Sequence, residues 1–138
     1  MKVLFNTISF KSWSKTFYNG ENKITEYYDD NNLLIKTLET DKFSRDVDTK
    51  EFGKDGEITF HLHKKYEGNN KIIETCKDRF REYTRTTSFI KKGDYTHRIE
   101  EYVSKLSPDS NYIHEFIRDK ADRLVKIISN GKVIDLIK

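Results

Sequence analysis

Proline is almost missing from these 138 residues: it occurs once, at Pro108. Few strand ladders therefore have to lose a backbone donor. Alanine also occurs once, at Ala121. Helices use alanine freely because it has no side-chain entropy to lose, so its scarcity argues against a helical domain. The single cysteine, Cys76, excludes an intramolecular disulfide and a cysteine-rich zinc site. Such usage suits the cytoplasm. No apolar run approaches the roughly 18 residues of a membrane span, so no membrane partner is expected. Residues 1–10 are too short and too polar for a signal-peptide core with a small-residue cleavage site. Hydrophobic residues, at 35%, do not outnumber charged ones, at 36%, so core material is scarce.

Aromatic residues are what the chain does have. Eight Tyr and nine Phe bring the aromatic share to 13%, too high for a disordered chain. Thr, Tyr, Phe and Ile, all common here, suit a pleated surface. The length predicts a single β-rich domain over residues 1–138. Net charge is +3, from 26 basic and 23 acidic residues interspersed along the chain. That is a mild basic bias and a weak nucleic-acid footprint.

A short pattern recurs: an aromatic residue, a polar corner, then an apolar-polar run. It is seen in Tyr66-Glu67-Gly68-Asn69-Asn70-Lys71-Ile72-Ile73 and again in Tyr28-Asp29-Asp30-Asn31-Asn32-Leu33-Leu34-Ile35. Looser copies begin at Phe17, Phe52 and Phe116. Each predicts a strand, a tight turn and a strand. Asn19-Gly20 and Asn130-Gly131 are the strongest hairpin corners, because both residue types tolerate positive φ. Residues 2–10 read as a first strand and residues 11–15 as a polar connection holding Trp13. Residues 57–66 alternate most cleanly, with Ile58, Phe60, Leu62 and Tyr66 facing in. Residues 79–92 read as one long strand. Residues 95–106 fit a helix, with Ile99, Tyr102, Val103 and Leu106 on one stripe and Asp94 as cap. As a strand, both faces of that segment would be mixed. Residues 111–129 are compatible with a helix carrying Ile113, Ile117, Leu124 and Ile128, but the Asn130-Gly131 corner and the match to the other repeats favour strands at 111–118 and 122–129. The expected fold is mainly β: an antiparallel meander of hairpins, as a curled sheet or partly closed barrel, with one short helix near 95–106.

The repeats at 28–35, 66–73 and 116–127 resemble the YD repeats of Rhs-type proteins. Phe17-Tyr18-Asn19-Gly20 is similar to the short repeats of MORN-like antitoxin proteins. The copies cover about half the chain, at irregular spacing. Strict YD repeats favour Gly in the turn, where Asn32, Asn70 and Asp122 stand here. The resemblance implies a fold style, a meander of hairpins, and supplies no catalytic residues.

Two constellations carry chemistry. His61 and His63 share one face of a strand, a way to present metal ligands or an acid/base pair, with Glu57 beside them. A metal needs further ligands that the nearby sequence does not supply. Lys77, Arg79, Arg81, Tyr83 and Arg85 would line one face of an extended strand. Cations with an interleaved aromatic fit an acidic protein patch, and equally phosphates and bases. No phosphate-binding glycine loop, serine elbow or zinc motif is present. The expected function is a small non-enzymatic protein-binding module of inhibitory type (immunity, antitoxin or anti-defence), with no catalytic residues and no cofactor. The alternatives are an RNA- or DNA-binding protein using the same face, and a small nuclease or hydrolase using His61 and His63. Self-association through strand edges is a further possibility.

Overall fold

The computed structural model describes residues 12–136. The strand expected at residues 2–10 lies outside them. Among the described residues eleven strands follow one another in chain order: β1 Trp13–Asn19, β2 Asn22–Tyr28, β3 Leu34–Thr40, β4 Asp46–Phe52, β5 Ile58–Glu67, β6 Lys71–Asp78, β7 Glu82–Lys92, β8 Tyr95–Ser104, β9 Tyr112–Arg118, β10 Leu124–Ser129 and β11 Lys132–Asp135. Among the described residues they pair as an antiparallel meander in chain order from β1 to β11, and the order does not close on itself. The chain divides into two compact units, Met1–His63 and Lys64–Lys138.

In the first unit, β1 pairs with β2 from Trp13↔Tyr28 to Asn19↔Asn22. Gly20, at φ 66, turns the chain. The segment around Trp13, read from sequence as a connection, is thus the start of β1. Trp13 is held because its indole stacks on Tyr28, with ring centroids 4.3 Å apart. Its Nε1 donates to Asn32 Oδ1 at 2.9 Å.

In the second unit, β7 and β8 pair over ten residues, from Tyr83↔Ser104 to Lys92↔Tyr95. Strand β9 pairs on the other side of β8, with Tyr102 opposite Tyr112. The helix expected near 95–106 is therefore a strand. Among the described residues the helical structure consists of one 3₁₀ turn, Pro108–Ser110. The mixed faces of 95–106 misled because neither face of this strand is sealed. Tyr102 is half-buried on one face and Ile99 on the other. A helix here would also strand the ladder donors and acceptors of β7 and β9. The residues 79–92 are not one strand either: the chain reverses at 79–81, and β7 starts at Glu82.

Two classes of turn make seven of the ten connections between these strands. Two-residue corners close on Gly20-Glu21, Gly93-Asp94 and Asn130-Gly131; in the last, both residues have positive φ, 51 and 84. The other class is a five-residue connection made four times: 29–33, 41–45, 53–57 and 119–123. In each, the first residue's N–H donates to the fifth carbonyl and the fourth N–H donates back to the first carbonyl. The fourth residue has positive φ: Asn32 64, Ser44 63, Gly56 82, Asp122 63. Asp29, Asp41 and Asp119 each accept from the third and fifth N–H groups through Oδ1 at 2.8–3.0 Å. Gly53 breaks the pattern, and Glu57 restores it by reaching back from the fifth position to accept from Asp55 N–H at 3.1 Å. A Cβ at Gly53 would collide with that Glu57 carboxylate. One carboxylate thus occupies the same place whichever residue supplies it.

Burial is shallow. Among the described residues, the buried apolar side chains are Cys76 and Ile117, and no side chain is fully buried. Stability comes chiefly from continuous ladders and cross-strand side-chain pairs, each worth roughly 0.2–1 kcal/mol.

Candidate functional site

The register of the second unit sets a row of rings across three strands. Tyr83 of β7 lies 4.9 Å from Tyr102 of β8, and Tyr102 lies 5.1 Å from Tyr112 of β9 at an interplanar angle of 5°. His114, two residues along β9, stacks on Tyr112 at 4.1 Å. Phe116 follows edge-on at 6.0 Å. Alternation puts residues 83 and 85, 98, 100 and 102, and 112, 114 and 116 on one face.

Guanidinium groups close both ends of the row. Arg85 and Arg81 lie 5.8 and 6.0 Å from the Tyr83 centroid, and Arg98 lies 4.5 Å from that of Phe116. Carboxylates on the same face lock it. Glu74 Oε2 accepts from Tyr83 Oη at 3.1 Å and from Arg85 Nη2 at 2.8 Å. Glu100 Oε2 accepts from Tyr112 Oη at 2.5 Å. Desolvation, with the Glu74 charge, pushes the Tyr83 hydroxyl well above its ordinary pKa. Desolvation and the bond to Glu100 push Tyr112 up as well. Both phenols therefore remain donors throughout the neutral range. Burial raises the neighbouring Cys76 thiol too, so it is not a thiolate at neutral pH.

The predicted set is divided by the turn at 79–81. Tyr83 and Arg85 stand in the ring row. Lys77 pairs with Glu82 in the β6–β7 ladder, on the opposite face. Arg79 and Arg81 belong to the turn itself, where Asp78 binds Arg81 Nη2 at 2.8 Å and holds the Phe80 and Arg81 N–H groups at 2.8 Å. The expected single strand face does not exist, because the Asp78 cap reverses the chain inside it. Arg98, Tyr102, Tyr112, His114 and Phe116 were not foreseen. Their signal was the alternation within 112–118, a strand in the sequence reading, and within 95–104, which the helical reading of 95–106 hid.

His61 and His63 do come together. Both bind Asp48 Oδ1, at 2.7 and 3.0 Å, and Lys50 Nζ lies 3.8 Å from Asp48 Oδ2. Glu57 is not with them, since it caps its own turn. Among the described residues no group of three or more His, Cys, Asp or Glu side chains is placed to hold a metal ion. On the other face of the second unit, a recess of about 580 Å3 lies beside Tyr95, His97, Ile117, Lys126 and Asp135. His97 pairs there with Glu115, and Lys126 with Asp135 at 3.5 Å, so its charges are largely matched internally. Among the described residues no helix is long and apolar enough to cross a membrane.

No protein-family model, curated protein or solved structure matches the chain.

Proposed function

We propose that this protein is a non-enzymatic protein-binding module of inhibitory type, an immunity, antitoxin or anti-defence factor. It engages an acidic protein surface through Tyr83, Arg85 and the ring row beside them. The observation that carries the reading is the Tyr83–Tyr102–Tyr112–His114 row, fixed between arginines and carboxylates. Tyr and Arg dominate binding hot spots because they offer large contact area at low entropic cost. Rings already ordered in the free protein lose little further freedom on binding.

The same geometry weighs against nucleic acid. Base recognition uses free ring faces. Here Tyr102 has Tyr83 on one side and Tyr112 on the other. Glu74, Asp78 and Glu100 also offset the cations. The test is affinity capture from the cells that encode the chain, then titration of the identified partner. Arg81→Ala/Arg85→Ala should bind at least about tenfold more weakly with an unchanged circular dichroism spectrum. Equal affinity overturns the assignment. Retention of a 20-nucleotide RNA or DNA at 50 mM salt, lost at 200 mM, would move the reading to nucleic acid.

A further inference from the structure

Two turns expose a phenylalanine for which the turn itself has no use. Asp41-Lys42-Phe43-Ser44-Arg45 and Asp78-Arg79-Phe80-Arg81 share one sentence: an acid, a cation, Phe, and an arginine that returns to the acid. Asp41 accepts from Phe43 N–H and Arg45 N–H at 2.9 and 3.0 Å, and from Arg45 Nε at 2.8 Å. Asp78 does the same for Phe80 N–H, Arg81 N–H and Arg81 Nε, at 2.8, 2.8 and 3.1 Å. The backbone that carries each ring is therefore fixed, yet Phe43 is 66% and Phe80 78% exposed.

A single exposed apolar residue is ordinary. The repeated five-residue turn supplies a control for Phe43, and Phe80 repeats its acid–cation–Phe–Arg arrangement in a shorter turn. The place held by Phe43 in its five-residue connection is held by Asn31, Asp55 and Ala121 in the other three. All that the turn takes from that residue is its N–H, so polar side chains serve equally well. Nor do the rings join a core. Lys42 Nζ and Arg45 lie 5.3 and 5.0 Å from the Phe43 centroid, and Arg79 lies 5.9 Å from that of Phe80.

We infer that Phe43 and Phe80 are anchor side chains, each entering an apolar pocket rimmed by carboxylates on a protein partner. The inference rests on the protein-binding reading and gives the partner's chemistry. A pocket of that kind removes the ring from water while its acidic rim meets the cations held beside it. The Asp78–Arg81 segment carries a net +1 from two cations and one carboxylate; at the Phe43 tip Arg45 and Lys42 are matched by Asp41 and by Glu21, 3.7 Å from Lys42 Nζ, so that these cations meet an acidic rim by exchanging exposed ion pairs. A protein pocket is favoured over a lipid surface because one ring and two partly neutralised cations make only a marginal membrane anchor.

The experiment replaces Phe43, Phe80, Thr87 or Ile113 singly by the photo-crosslinker p-benzoylphenylalanine in the full chain and irradiates it in cells that encode it. Mass spectrometry then maps the joined peptides. Thr87 reports the ring-row face and Ile113 the opposite face. The inference expects adducts from Phe43 and Phe80 on one partner, at apolar segments flanked by Asp or Glu, and none from Ile113. Phe43→Ala and Phe80→Ala should each weaken that partner's affinity at least about tenfold, with unchanged melting temperature. Adducts from Thr87 but not from either tip overturn the inference and leave the protein-binding reading standing. Adducts from none of the four positions overturn both. Adducts only onto further copies of this chain overturn it in favour of self-association. Phe-dependent flotation with 4:1 phosphatidylcholine:phosphatidylserine vesicles, without protein adducts, overturns it in favour of a lipid surface.

Discussion

Glu57 shows at the scale of one residue how position, not identity, carries the turn. Its carboxylate fills the place vacated at Gly53 and caps Asp55 N–H. Glu57→Ala should destabilise the protein by about 0.5–1 kcal/mol, the usual value of one lost capping bond. Adding Gly53→Asp to Glu57→Ala should recover most of that loss in thermal denaturation, since the new carboxylate takes over the N–H. If Gly53→Asp made the variant worse, the equivalence of the four turns would be wrong. Ser44 occupies the positive-φ position that Gly56 fills in its own copy. Ser44→Gly should stabilise by roughly 0.5 kcal/mol, as the relieved strain exceeds the entropy that glycine adds to the unfolded chain.

At the scale of elements, three aspartates tie their turns to pH. Burial works to raise Asp41, but the Arg45 and Phe43 N–H groups and the Arg45 guanidinium hold it below its ordinary value. The Arg81 guanidinium lowers Asp78, and the Arg123 N–H and guanidinium lower Asp119. A carboxyl whose folded pKa is depressed contributes stability above its unfolded pKa, about 3.9, and loses it as pH falls through the folded value. The melting temperature should hold from pH 7 to about 5 and drop once acid passes about pH 4. A variant carrying Asp41→Asn, Asp78→Asn and Asp119→Asn should melt lower at pH 7 and decline less steeply in acid. Amide exchange should be slowest in β8, which pairs over ten residues with β7 and over seven with β9.

For the whole molecule the governing fact is shallow burial. Unfolding a globular chain of 138 residues ordinarily raises the heat capacity by about 1.7–2.1 kcal/mol/K. That increment comes from apolar surface newly exposed to water. Here most apolar side chains already contact it, and Ile117 and Cys76 are the buried ones among the described residues. Calorimetry should therefore give a clearly smaller value, with a correspondingly small denaturant m-value. A normal increment would mean that a second layer covers the strands in solution.

The local pattern of residues was enough to place most strands and several corners. Asn130-Gly131 reads as a hairpin turn from residue type alone, because positive φ is a local cost. That corner and the match to the other repeats favoured strands over a helix for β9 and β10. The segment 95–106 was not, since its mixed faces fit a helix until β7 and β9 are known to flank it. The Asp caps were visible as letters but not as a device, because recognising them requires the fifth residue's N–H to return to the first side chain. The ring-row face was legible at Tyr83 and Arg85, where charge and ring lie two residues apart. Tyr102, Tyr112 and His114 joined them only through register, which decides which side chains become neighbours across strands far apart in the chain. Composition dictated that the protein would be β-rich and thinly cored. Tertiary pairing alone aligned its tyrosines into one row, since stacking requires rings from three strands within about 5 Å.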